Sequence, residues 1–274
     1  MRLVCLISIY FALRILSCAD EQVIQVRHPT TDWIQRADLY FRTTTLTPRG
    51  WLLLCPGRNG NGEVLLKDPK WVDFARKNHL LMCGVSYAST RKDDLLGRYT
   101  EVHKGAGDEI LLAMDSRAAK ALPMLVVGFS AGARFTTNWM AWKPSRVIGW
   151  SAQAVGNWPE PPPIDTPPGI VASGEYDAGS WFASLQYFQA SRKLGKKVIW
   201  LSLEKVAHSK SPDLDDFTRN LFRHILENKA EATLWHDMDS KEVLSIEEEM
   251  EDPIFATWLP SRELALQWQL LHHP

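Results

Sequence analysis

Short apolar runs alternate along this chain with stretches whose apolar positions recur every three or four residues. The first kind predicts buried strands and the second amphipathic helices. VIQVRH (23–28) and ADLYFRTTT (37–45) form an opening pair of strands, and GWLLLCPG (50–57) a buried strand that ends in the loop GRNGNG. WVDFARKN (71–78) is helical, HLLMCGVSY (79–87) extended, and GAGDEILLAMDSRAAKAL (105–122) helical again. PMLVVGFS (123–130) then leads into the helix AGARFTTNWMAW (131–142). RVIGWSAQ (146–153), GIVASG (169–174) and KKVIWLSL (196–203) are further strands, separated by a proline-rich loop and the helix SWFASLQYFQASRKL (180–194). PDLDDFTRNLFRHILEN (212–228) closes the unit as a helix. This alternation predicts an α/β protein with a mostly parallel central sheet covered by helices on both faces. Residues 229–274 read as a peripheral tail, with an acidic run at 247–252 and a helix capped by Ser261.

One junction carries chemistry. Gly128-Phe129-Ser130-Ala131-Gly132 matches G-x-S-x-G where a strand passes into a helix, the setting of a nucleophile elbow. The serine is forced into a strained turn, and side chains at the glycine positions would strike the neighbouring strand and helix. A plain turn with a capping serine is the bland alternative. A serine hydroxyl needs a base, and the base an orienting carboxylate. Both are expected later in the chain, just past the carboxyl ends of strands, in the order Ser, acid, His. Asp177 in SGEYDAGS and His208 in EKVAHSKS stand there, with Glu175 the second choice for the acid. The other seven histidines precede the serine, fall in a helix or lie in the tail.

The oxyanion formed on attack needs two backbone N–H donors. Ala131 supplies one at a helix start, whose positive end also favours the charge. The other comes from Pro56-Gly57-Arg58-Asn59-Gly60-Asn61-Gly62, with Arg58 first choice and Gly57 second. This loop lacks the terminal Gly-Lys-Ser/Thr of a phosphate-binding loop. Twelve tryptophans is a high count for 274 residues. Trp150, Trp158 and Trp181 are candidates to line the cleft mouth, against the alternative of core packing.

Composition changes this picture little. The chain is 45% hydrophobic and 23% charged with a formal net charge of −1, which gives no sign of a nucleic-acid partner. No CxxC pair or HExxH occurs and the eight histidines are scattered, so no zinc site is expected. Ser89-Thr90-Arg91-Lys92 matches S-x-x-K without its companion motifs and is treated as coincidence. The first 19 residues, with Arg2, an apolar stretch and small residues at 17–19, read as an export signal. Alternatives are acylation of Cys18, which would put the protein at a membrane, and an uncleaved or buried helix. Cys55 and Cys83 then remain, each a small buried hydrophobe unless neighbouring strands bring them into a disulfide.

With those residues placed, the chain resembles α/β-hydrolases of the secreted esterase type: the polyhydroxybutyrate-depolymerase, feruloyl-esterase and acetylxylan-esterase group. The resemblance covers about residues 23–228 and rests on LLLCPGRNGNG, VVGFSAGARF, SGEYDAG and the histidine of EKVAHS. Such relatives often carry His-Gly where this chain has Pro56-Gly57. The resemblance implies a catalytic domain over 20–228 without a large lid domain, and cofactor-free hydrolysis of a carboxylic ester, free or polysaccharide-linked, through an acyl-enzyme on Ser130. Its rivals are a serine peptidase of the same fold and a non-catalytic glycan-binding protein on this scaffold.

Overall fold

The computed structural model describes residues 21–26, 34–89, 100–156, 165–228, 234–244 and 252–274. Eight strands form one sheet: β1 (Glu21–Gln25), β2 (Ile34–Arg42), β3 (Gly50–Cys55), β4 (Leu80–Ser89), β5 (Met124–Phe129), β6 (Val147–Gln153), β7 (Gly169–Gly174) and β8 (Val198–Leu203). Their spatial order is β1-β2-β4-β3-β5-β6-β7-β8. β1 and β2 run antiparallel to their neighbours, and every pairing from β4 through β3 to β8 is parallel.

Parallel strands must bury both faces, and the alternation within each strand divides cleanly between them. Leu53, Cys55, Val126, Val171, Val198 and Trp200 point into one apolar cluster. Against it lie α3 (Ala106–Asp115), α4 (Ala131–Trp142) and α5 (Ala178–Lys193), through Ile110, Met114, Phe135, Trp139, Tyr187 and Phe188. The opposite face presents Leu52, Leu54, Leu125, Val127, Ile170, Ala172, Ile199 and Leu201. It is covered by α1 (Gly62–Leu65), α2 (Pro69–Lys77), α6 (Pro212–Glu227) and α7 (Arg262–Leu271). Helices therefore flank both faces, as the sequence pattern implied.

One expectation changes. The helix expected over 105–122 ends at Asp115. Arg117 Nη1 donates to the Ala113 carbonyl at 2.7 Å while its guanidinium lies over the Phe41 ring, and Arg146 forks onto both carboxylate oxygens of Asp115. Those side-chain bonds anchor the last turn, and the chain turns away there. The C-terminal residues, expected as a tail packed on or trailing from the domain, include among the described residues a three-stranded antiparallel sheet, β10-β9-β11, from β9 (Leu234–Asp237), β10 (Val243–Leu244) and β11 (Ala256–Leu259). Trp235, Trp258 and Trp268 of this unit are buried against β7, β8 and α6. The Ser261 cap on α7 is as expected, with its Oγ accepting from the Leu264 N–H at 3.2 Å.

An exposed edge strand is an aggregation hazard, and the C-terminal unit removes it at β8. The Trp200 N–H donates to Thr257 Oγ1 at 2.8 Å, and Trp268 Nε1 donates to the Trp200 carbonyl at 2.7 Å. The Ser202 N–H donates to His272 Nδ1 at 3.1 Å, and the His273 N–H to the Ser202 carbonyl at 2.8 Å. Cys55 and Cys83 are both buried free thiols, so no disulfide joins their strands. Burial pushes both thiol pKa values up. The signal-like segment, Cys18, residues 90–92 and Trp158 lie outside the described residues.

Candidate active site

Ser130 stands between β5 and α4 with φ 54° and ψ −119°, a backbone state that costs on the order of 1–3 kcal/mol for a non-glycine residue. The surroundings hold it there. Its N–H donates to the Gln153 carbonyl at 2.8 Å, and its carbonyl accepts from the Ala133 N–H at 2.9 Å. The flanking glycines have the steric role expected of them. A Cβ at Gly128 would come within 2.1 Å of the Gly132 carbonyl oxygen, and one at Gly132 within 2.0 Å of the Cys55 carbonyl oxygen. Strand, helix and the loop after β3 thus meet where no side chain fits. Although Ser130 occupies the N-cap position, its side chain makes no capping bond, so the hydroxyl is available for another partner.

That partner is His208, whose Nε2 lies 2.8 Å from Ser130 Oγ. His208 Nδ1 lies 2.7 Å from Asp177 Oδ2. A carboxylate only accepts, so Nδ1 carries the proton and donates to it; Nε2 is then the bare nitrogen that accepts from the serine hydroxyl. Asp177 is likewise at a helix N-cap without a capping bond. Its carboxylate is directed to the imidazole instead of the helix end. The three side chains that the sequence placed past β5, β7 and β8 are brought together at one rim of the sheet. The Phe129 ring lies beside the imidazole, with centroids 5.2 Å apart.

Glu175, the second choice for the acid, does something else. Its Oε2 accepts from the Lys205 N–H at 3.0 Å. The Tyr176 N–H donates to the Val206 carbonyl at 2.9 Å, and a Cβ at Gly174 would clash with that carbonyl oxygen at 2.1 Å. These contacts lock the loop of the acid to the loop of the histidine.

The loop after β3 flanks the serine from the other side. A Cβ at Gly57 would lie 3.2 Å from the Phe129 ring and 3.6 Å from Ser130 Cβ. The turn is closed by the Gly60 N–H donating to the Gly57 carbonyl at 2.9 Å, and is held by Arg36 Nη2 on the Gly60 carbonyl and by Asn59 Oδ1 on the Ser89 N–H. Arg58 is exposed at its tip. Ala131 opens α4, where the first N–H groups have no carbonyl partner within the helix. Beside this loop, Cys55, Pro56, Gly57, Val85, Tyr87, Ala131, Gly132 and Phe135 line a small, partly open apolar hollow of about 10 Å³, about the room one water needs.

Trp150 is fully buried and its Nε1 donates to the Pro167 carbonyl at 2.7 Å, so it packs in the core; Trp181 is half-buried. Its Nε1 donates to Ser202 Oγ at 3.0 Å, and its ring meets Trp200 edge-on at 5.8 Å. The indole is thus fastened to the core because a half-buried N–H needs an acceptor. Tyr176 and Phe182, close to Asp177 in sequence, are exposed aromatics.

No protein-family model matches the chain, and no curated protein resembles it in sequence. Solved structures do match. S-formylglutathione hydrolase from Staphylococcus aureus superposes with a TM-score of 0.54 at 11% identity, covering 76% of this chain and 96% of its own. A ferulic acid esterase gives 0.55 at 11%, covering 77% and 98%, and an esterase from Pyrobaculum calidifontis 0.55 at 12%, covering 81% and 90%. The chain has the α/β-hydrolase fold, shared with these esterases and serine hydrolases.

Proposed function

We propose that this protein is a serine hydrolase that cleaves carboxylic esters, with Ser130 as nucleophile, His208 as general base and Asp177 as the group that orients it. The observation that carries this reading is the pair of contacts at His208, one nitrogen on a carboxylate and the other on a serine hydroxyl held in a strained elbow. Ser130 Oγ attacks the ester carbonyl as Nε2 takes its proton. The tetrahedral oxyanion is received by the Ala131 N–H and by the turn at Gly57 and Arg58. His208 then protonates the departing alcohol, and a water activated by the same nitrogen releases the acid from Ser130.

A saccharide alcohol is favoured by the exposed rings of Tyr176 and Phe182, close to Asp177 in sequence, which offer stacking faces. Reaction with a fluorophosphonate probe tests the nucleophile: wild type labels and Ser130→Ala does not. A folded wild type that stays unlabelled overturns the reading. Turnover of a p-nitrophenyl acetate against a peptide anilide separates esterase from peptidase, the ester being the expected substrate. We also propose that the chain is exported through its N-terminal segment; N-terminal sequencing of protein recovered outside the cytoplasm should begin after residue 17 or 19, and full-length protein retained inside the cell would overturn this.

A further inference from the structure

Three elements meet in the triad, and only loops connect the histidine to the other two. His208 is about half exposed, and Ala207, Ser209 and Lys210 around it are exposed as well. An imidazole in that setting keeps its position only if the backbone on each side of it is anchored. Upstream, the Val206 carbonyl is held by the Tyr176 N–H. Downstream, the anchor is one buried side chain, Gln153, which is 3% exposed at the end of β6.

Gln153 makes three relevant bonds. Its backbone carbonyl accepts from the Ser130 N–H at 2.8 Å. Its side-chain Nε2 donates to the Ser209 carbonyl at 2.8 Å, and its Oε1 accepts from the Ser211 N–H at 3.4 Å. Ser211 in turn caps α6, with Oγ accepting from the Leu214 N–H at 3.3 Å. A single residue therefore grips the nucleophile's backbone at one end and the loop of the base at the other. β6 neighbours both β5 and β7 in the sheet, so this position is the one from which a side chain reaches across to the segment after β8.

We propose that Gln153 is a positioning residue that sets the distance between His208 Nε2 and Ser130 Oγ. The inference rests on the esterase reading above. Both faces of the amide are required: the N–H group for a carbonyl oxygen, the carbonyl for an N–H. No residue of the same length other than glutamine offers both at neutral pH. A glutamate would set its carboxylate against the Ser209 carbonyl oxygen, and a buried carboxyl so placed has its pKa raised. When protonated, it regains an O–H donor in nearly the same place.

The test uses Gln153→Met and Gln153→Glu in the full chain, with kcat and KM for p-nitrophenyl acetate and the rate of fluorophosphonate labelling. Displacing a reacting group by about 1 Å costs roughly 100-fold, so Gln153→Met should lose about 10- to 100-fold in kcat and in labelling rate while KM hardly moves. Gln153→Glu should show a similar loss at pH 8. Its rate relative to wild type should recover as the pH falls, because the protonated carboxyl restores the donor, and a merely structural role would not produce that recovery. If Gln153→Met does not fold, Gln153→Glu carries the test, its backbone bond to Ser130 being intact. Variants as active as wild type, with a flat pH ratio, overturn this inference alone. A folded wild type that neither labels nor turns over the ester overturns the esterase reading and this inference with it.

Discussion

Strand β8 serves two histidines, and they are built in opposite ways. His208 lies just beyond its carboxyl end, half in water, with a carboxylate at Nδ1. His272 is folded back on its edge, buried, with the Ser202 N–H donating to Nδ1 while Nε2–H donates to the Met238 carbonyl at 2.9 Å. Trp268 stacks on that ring at 4.6 Å. In the proposed mechanism the carboxylate beside Nδ1 faces the imidazolium that forms when Nε2 takes the serine proton. At His272 an N–H donor at Nδ1 forbids that positive charge, and burial holds its pKa down at about 4. Residue type is the same in both places; the partner at one nitrogen separates the ring that the proposed mechanism uses as a base from the ring that holds an edge.

The largest effect that would break this contrast is at the rim. Ser130→Ala or His208→Ala should lower kcat by roughly 10⁶-fold with the melting temperature little changed; an active Ser130→Ala enzyme would remove the rim from catalysis. Asp177→Asn should cost roughly 10⁴-fold, because the amide can donate to Nδ1 and so favours the wrong tautomer. Glu175→Gln, which leaves the loop contact with an acceptor, should by comparison leave kcat close to wild type.

The edge should answer in stability instead. Trp268→Ala removes a fully buried indole and its bond to the Trp200 carbonyl, and should cost about 3–5 kcal/mol in denaturant unfolding, with kcat per folded molecule unchanged. Acid should have a related effect. Above pH 6.5 His272 is neutral in both folded and unfolded chains and contributes no pH dependence. As the pH falls from there towards 4 the unfolded chain takes up a proton that the folded one refuses. Wild type should therefore lose about 3 kcal/mol over that window relative to His272→Gln; parallel stability curves would show that the ring is not held neutral. Smallest of all, Trp181→Phe deletes the bond to Ser202 Oγ and should cost about 1 kcal/mol without moving KM, as a core-fastened indole requires. A raised KM would return Trp181 to the substrate.

Much of the rim was legible in the sequence because its constraints are local. The continuous burial of β3, β5, β7 and β8, the strand–Gly–Phe–Ser–Ala–Gly–helix junction and the order of Ser130, Asp177 and His208 all follow from residue type and spacing. The choice of Asp177 over Glu175 was also within reach, since the residue deeper in the loop extends beyond the strand end. Arg117 shortening α3 was not, because its partner Phe41 lies in a distant strand. Nor was the C-terminal sheet, whose strands are short and interrupted by polar residues.

By itself the sequence determined which segments are buried on two faces, where the backbone had to be strained, and which side chains stood past strand ends. Steric and periodic rules act over a few residues and need no knowledge of the rest of the chain. Tertiary structure alone decided that residues 78 positions apart would come within hydrogen-bond distance, that Gln153 would tie the serine to the loop of the histidine, and that Trp181 and His272 would be bound to β8. Those outcomes depend on the order of strands in the sheet, which brings together groups whose separation along the chain says nothing about their separation in space.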